Sequence, residues 1–147
     1  MATMTVPEEM ALTVDLEVSI NAPASKVFAA VLKQLGPEFG PDGHSMPLTL
    51  EARPGGRWFR DLGNDQGHLW GHVQVIKKDR ILEITGPFFM SYAAINHLQF
   101  KLDADGNKTR LVFKHTAIGM IDDNHRKGVT EGWTKTMEQI RKAAEGH

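Results

Sequence analysis

The chain has 147 residues, a net charge of −1 and no cysteine, which is about one domain's worth of sequence and leaves no means of building a disulfide framework or doing thiol chemistry. Its charges are dispersed, with no basic block or aromatic-interleaved patch of the kind that grips nucleic acid, and no apolar run approaches the roughly 18 residues of a membrane span. Absence of cysteine also suits the reducing cytoplasm, where the protein is expected to reside.

The first residues, MATMTVPEEMAL, carry acids where a signal peptide carries bases. Residues 1–12 are therefore expected to be a flexible tail and residues 13–147 a single domain. From Thr13 to Ile20 the chain alternates: Val14, Leu16, Val18 and Ile20 take one face, and Asp15, Glu17 and Ser19 the other, as in a half-buried strand. Asn21-Ala-Pro-Ala then offers a helix start, with Asn21 as cap and proline in the first turn. Val27, Phe28, Val31, Leu32 and Leu35 form the apolar stripe of that helix, and Gly36-Pro37 ends it. Gly36 to Pro47, which includes His44 and Met46, reads as a loop with at most a short helical turn.

Strand patterns follow. Leu48 to Arg53 and Arg57 to Asp61 flank a Pro54-Gly55-Gly56 turn, and a polar loop runs from Gly63 to Gly67. Leu69 to Lys77 and Ile81 to Thr85 meet at Lys78-Asp79. After Gly86-Pro-Phe-Phe-Met-Ser-Tyr, Ala94 to Leu102 and Thr109 to Thr116 form a hairpin around an Asp-Gly turn. A loop from Ala117 to Asp122 leads to a closing helix, clear from Gly128 to Glu145 and starting as early as Asp123. On that helix Val129, Trp133, Met137, Ile140 and Ala144 share one arc of about 80°. Lys127, Glu131, Lys135, Glu138, Arg141, Lys142 and Glu145 occupy the other side, with Glu131–Lys135 and Glu138–Lys142 spaced four apart. An α+β architecture follows, an antiparallel sheet curling around one long helix.

That order of elements, together with Ile-Asn-Ala-Pro before Lys26-Val-Phe, Arg-Pro-Gly-Gly at Arg53 to Gly56, Thr109-Arg-Leu-Val-Phe-Lys-His and Gly132-Trp133, resembles the SRPBCC, or START-like, superfamily. Within it the chain is most similar to the branch named after the activator of the heat-shock-protein-90 ATPase, from about Thr13 to Glu145. The resemblance implies a helix-grip fold, an antiparallel sheet of about seven strands wrapped around the C-terminal helix with a cavity between them. It implies no single activity, since members bind lipids, hormones or polyketides and some are cyclases or hydrolases. It does not extend to the separate N-terminal domain of the eukaryotic co-chaperone, so activation of the heat-shock ATPase is not implied.

Strand alternation selects the residues that face the helix. They are Leu82 and Ile84; Asn96, Leu98, Phe100 and Leu102; and Leu111, Phe113 and His115, opposed by Trp133, Met137 and Ile140. In Leu69 to Lys77 both faces are apolar; Leu69, Gly71, Val73 and Val75 make the better inner set, which leaves Trp70 and His72 outside. The apolar connection contributes Phe88, Phe89 and Tyr92, either as a roof over the cavity or as a contact with another subunit. The expected ligand site is therefore Leu82, Ile84, Phe88, Phe89, Tyr92, Asn96, Leu98, Phe100, Leu111, Phe113, His115, Trp133, Met137 and Ile140.

His115 is the chief catalytic candidate, with Tyr92 and Asn96 as polar company. An inward imidazole is either an acid or base at a ligand or a core histidine satisfied by a backbone carbonyl or a buried water. No acid is placed to orient it, which favours the second. Trp133 is either a floor for an apolar ligand or the residue that joins helix to sheet. Gly128, Gly132 and Thr136 beside it are either room for a guest or a seam of close approach. Arg53, Arg57, Arg60 and Asp61 about the Pro-Gly-Gly turn read first as solvated surface, although Arg60 alternates with Trp58 and could meet an anionic ligand group at the cavity mouth. A metal is not expected: His68 and His72 lie about 13 Å apart on a strand, and His97 and His115 fall on opposite faces. The expected function is binding of an apolar or aromatic small molecule without a cofactor. The alternatives are a cyclase or hydrolase using the same cavity with His115, or a homodimeric interaction module that uses Trp70 and the Phe88–Phe89 loop.

Overall fold

The computed structural model describes residues 5–40 and 44–146. Its strands are β1 (Ala11–Ile20), β2 (Thr49–Leu50), β3 (Arg57–Gly63), β4 (Gln66–Lys77), β5 (Ile81–Gly86), β6 (Ala94–Asp105) and β7 (Lys108–Gly119). They form one antiparallel sheet in the order β1-β7-β6-β5-β4-β3-β2. Two helices, α1 (Ala24–Leu35) and α2 (Asp123–Glu145), pack against each other, with α2 also on β1 and α1 on β6 and β7. This is the α+β helix-grip arrangement. Among the described residues no helix is long and apolar enough to cross a membrane.

Several element ends differ from the sequence pattern, each for a local reason. β1 starts at Ala11, and a 3-10 turn at Glu8–Met10 precedes it. The Arg126 guanidinium on α2 donates to the carbonyls of Glu9 and Ala11, so the later part of the expected tail is held to the domain. Asn21 does not cap α1. The cap is Pro23, whose carbonyl accepts from Lys26 and Val27, while the Asn21 N–H donates to Glu145 at the far end of α2. The strand expected from Leu48 to Arg53 shrinks to two residues, because Arg53 N–H turns back to Glu51 O and Gly55 N–H is taken by Val73 O. The polar loop after β3 is a tight hairpin, with Asn64 and Asp65 both at positive φ as a type I′ turn requires. β7 runs on to Gly119, through half of the segment expected as a loop. Of the segment from Gly36 to Pro47, residues 41–43 lie outside the described residues, and the remainder contains no regular element.

α2 matches the predicted apolar face, with Val129, Trp133, Met137, Ile140 and Ala144 all buried. Asp122 caps it by accepting from the Asn124 and His125 N–H groups, and Gly146 closes it at φ 84°. Lys135 meets Glu131 as expected, but Glu138 pairs with Arg141 rather than Lys142, and Arg141 also reaches Glu145. Charges on one helix face thus chain together at spacings of three and four.

β4 departs most from simple alternation. Trp58 pairs with Gly71 and Phe59 with Leu69, so Trp70 has no partner on β3. This β-bulge adds one residue and reverses the faces before it. Trp70 turns inward and is 5% exposed, whereas Leu69 is 47% exposed. The expectation of Leu69 inside and Trp70 outside is thereby corrected, and His72 is exposed as expected.

Candidate functional site

A cavity of about 500 Å³ opens at one end of the space between helix and sheet. One wall is the N-terminal half of α2: Asn124, His125, Gly128, Val129, Gly132, Trp133 and Thr136. Phe39, His44, Ser45 and Met46, from the segment after α1, face it, and Arg60 of β3, Trp70 of β4 and Phe89 complete the lining. The segment after α1 is anchored where it matters: Met46 N–H donates to Phe39 O at 2.9 Å, and Gln139 Nε2 on α2 donates to Gly40 O.

Room exists because two helix positions lack side chains. A Cβ built at Gly128 or at Gly132 would meet nothing within 4 Å. Of the two readings of that small-residue stripe, the open one describes the geometry. The floor is an aromatic cluster. Trp70 makes edge contacts with Trp58 at 5.0 Å, Phe39 at 5.4 Å and Phe89 at 5.8 Å, and Trp58 meets Phe88 at 5.3 Å. Trp58, fully buried, is pinned by its indole N–H donating to Leu35 O at 2.7 Å.

Phe89 and Trp133, from the expected ligand site, line this cavity. Leu82, Ile84, Leu98, Phe100, Leu111, Phe113, Met137 and Ile140 are instead closely packed members of the hydrophobic core. Phe88 is buried beneath the cavity floor against Trp58 and His115. Asn96 and His115 are buried in a polar chain away from the lining. Tyr92 lies one residue behind it, its hydroxyl 2.9 Å from His125 Nδ1 and its ring stacked on that imidazole. The sequence pattern missed Phe39, Met46, Trp70 and His125. A bulge hid Trp70, and the others come from segments without strand periodicity or from a helix start.

The buried polar chain explains where His115 belongs. Trp133 Nε1–H donates to its Nδ1 at 3.0 Å, which places the imidazole proton on Nε2, facing Asn96 Oδ1 at 2.6 Å. Asn96 Nδ2 in turn donates to the carbonyls of Gly86 and Pro87. Both nitrogens of His115 are occupied by side chains rather than by the backbone carbonyl or water expected for a core histidine. Burial pushes the imidazole pKa down to about 4, so the ring is neutral at physiological pH. His115 is therefore a buried, neutral imidazole bonded at both nitrogens, and it does not line the cavity.

Surroundings of the other sequence candidates are simpler. His97 lies on the outer sheet face at 2.7 Å from Glu83. Among the described residues no three His, Asp or Glu side chains gather as metal ligands. Of the residues suggested for a homodimer contact, Trp70 and Phe88 are buried and Phe89 is half-buried.

The model of the activator of Hsp90 ATPase homolog 1-like protein family matches residues 21–145. The chain belongs to that family. Solved structures similar to this chain include an uncharacterised protein from Rhizobium leguminosarum, with a TM-score of 0.71 and 16% identity over 93% of this chain and 96% of that one. A protein from Chromobacterium violaceum has the same TM-score at 20% identity, over 91% of this chain and 98% of its own. One from Mesorhizobium loti gives 0.67 at 17% identity, over 91% and 97% respectively. At these identities the likeness is one of fold. Comparison with curated protein sequences returns no match.

Proposed function

We propose that this family member binds an apolar or aromatic small molecule at the end of the grip, between the Gly128–Gly132 face of α2 and the Trp70–Phe89 cluster. The observation that carries this reading is the open wall of α2. A volume of about 500 Å³ falls within the range of about 300–1,000 Å³ typical of small-molecule sites, which are mostly apolar with a few placed polar groups. Aromatic edges at the floor suit a ring system, because edge-to-face and offset contacts add to the area buried.

The site therefore differs from the one expected around His115. It lies about the first turns of α2 rather than over the centre of the sheet, where core side chains fill the space. Thermal shift and native mass spectrometry against lipids, flavonoids and polyketides test the reading, with Gly132→Leu as the control. A bound guest raises the melting temperature of the wild-type chain and not of the filled variant. Equal shifts in both would place the guest elsewhere and end the proposal.

A further inference from the structure

The polar part of the cavity lining is one-sided in charge. His44, Ser45, Arg60, Asn124, His125 and Thr136 contribute to it, and among the described residues no Asp or Glu does. Among the described lining residues Arg60 holds the only fixed charge. β3 explains how it comes to be uncommitted. Arg57 and Phe59 share the outer face, where the Arg57 guanidinium lies over the Phe59 ring and forks onto the Glu51 carboxylate. Arg53 also lies against Glu51. Arg60 follows Trp58 on the inner face, half-buried, and forms no ion pair among the described residues.

We propose that the ligand is an aromatic acid: a ring system seated on Trp70, Phe89 and Trp133, carrying an oxyanion that docks on Arg60. The proposal rests on the binding reading above and names the chemical class it takes. A neutral guest strips water from a guanidinium that has no ion-pair partner among the described residues and returns nothing for it. A carboxylate or sulfonate restores a charge-assisted, forked pair in the same position. The neutral and donor groups nearby, Ser45 and Asn124 among them, oppose no anion.

Two fluorescent probes of the same aromatic body separate the claims: 8-anilinonaphthalene-1-sulfonate, which is anionic, and N-phenyl-1-naphthylamine, which lacks the sulfonate. Each is titrated against the wild-type protein, Arg60→Gln, Arg60→Lys and Gly132→Leu, with melting curves run on all four. The expected result is that both probes bind the wild type and neither binds Gly132→Leu. Arg60→Gln weakens the sulfonate about tenfold and leaves the amine within about twofold, while Arg60→Lys recovers part of the loss. Equal binding of both probes with no effect of Arg60→Gln overturns the acid and leaves the cavity reading intact. Sulfonate binding that survives Gly132→Leu places the anion outside the cavity and also overturns it. Failure of both probes to bind the wild type overturns the cavity reading itself.

Discussion

The indole N–H of Trp133 donates a 3.0 Å hydrogen bond to Nδ1 of His115, joining α2 to β7 inside the buried core. The same chain of donors continues through Asn96 to the carbonyls of Gly86 and Pro87. It therefore ties the helical wall of the cavity to the connection that carries Phe88 and Phe89. In a low-dielectric interior such a network is favourable only when every member is satisfied, and among the described residues no buried side-chain nitrogen or oxygen is left without a partner. Trp133 thus joins helix to sheet through its N–H, and its ring lines the cavity.

Trp133→Phe keeps most of the ring and removes the donor. His115 Nδ1 is then a buried acceptor without a partner, at a cost of about 1–3 kcal/mol. Urea denaturation should show a lowered midpoint with an unchanged slope. A variant as stable as the wild type would mean that the hydrogen bond contributes nothing net.

His115 itself should stay neutral far below the usual histidine range. Its folded pKa is lowered from 6.5 to about 4 by burial, so between those values the unfolded chain binds the proton and the native state does not. Stability from this group is fully present above about pH 6.5 and is lost as pH falls towards 4, by up to about 3 kcal/mol. Nitrogen-15 NMR of the histidine rings should find His115 as the Nε2–H tautomer at pH 5.5. A cationic ring at that pH would contradict the assignment.

Asn96→Ala removes the middle of the chain. The His115 Nε2–H and the carbonyls of Gly86 and Pro87 all lose a partner, and the expected cost is about 2–4 kcal/mol. Combined with Trp133→Phe the losses should not add, because both variants break one network. Strict additivity in a double-mutant cycle would show that the two hydrogen bonds act independently.

Much of the architecture was legible because both periodicities are strong: period two in β1, β6 and β7, and the 3.6-residue stripe of α2. The inward set Leu98, Phe100, Leu111, Phe113 and His115 is buried as alternation requires. What alternation cannot reveal is whether an inward residue meets another side chain or empty space. The central strands carry large residues that fill their side of the helix, so the void moves to the end where α2 carries glycine. Trp70 was lost to a bulge, which leaves no mark in a sequence where both faces are apolar. Phe39 and Met46 sit in a segment with no repeat to read, and their place on the wall depends on tertiary hydrogen bonds to Gly36, Phe39 and Gly40.

Two glycines should respond to the same substitution with opposite signs. Gly132 sits within α2 where an added Cβ meets nothing within 4 Å, so Gly132→Ala removes only the helix penalty of glycine. A gain of about 0.5–1 kcal/mol is expected. Gly86 ends β5 against β4, where an added Cβ would lie 2.4 Å from Trp70 O and 2.5 Å from Gly71 Cα. Backbone on both sides cannot give way cheaply, and the Phe88 N–H that bonds to Trp70 O at 2.8 Å would be displaced with it. Gly86→Ala should therefore destabilise by more than about 2 kcal/mol and disturb the aromatic floor of the cavity. Thermal and urea unfolding of the two variants decide the matter. If Gly132→Ala proves as damaging as Gly86→Ala, α2 has a neighbour at that position and the open wall on which the binding site depends is not there.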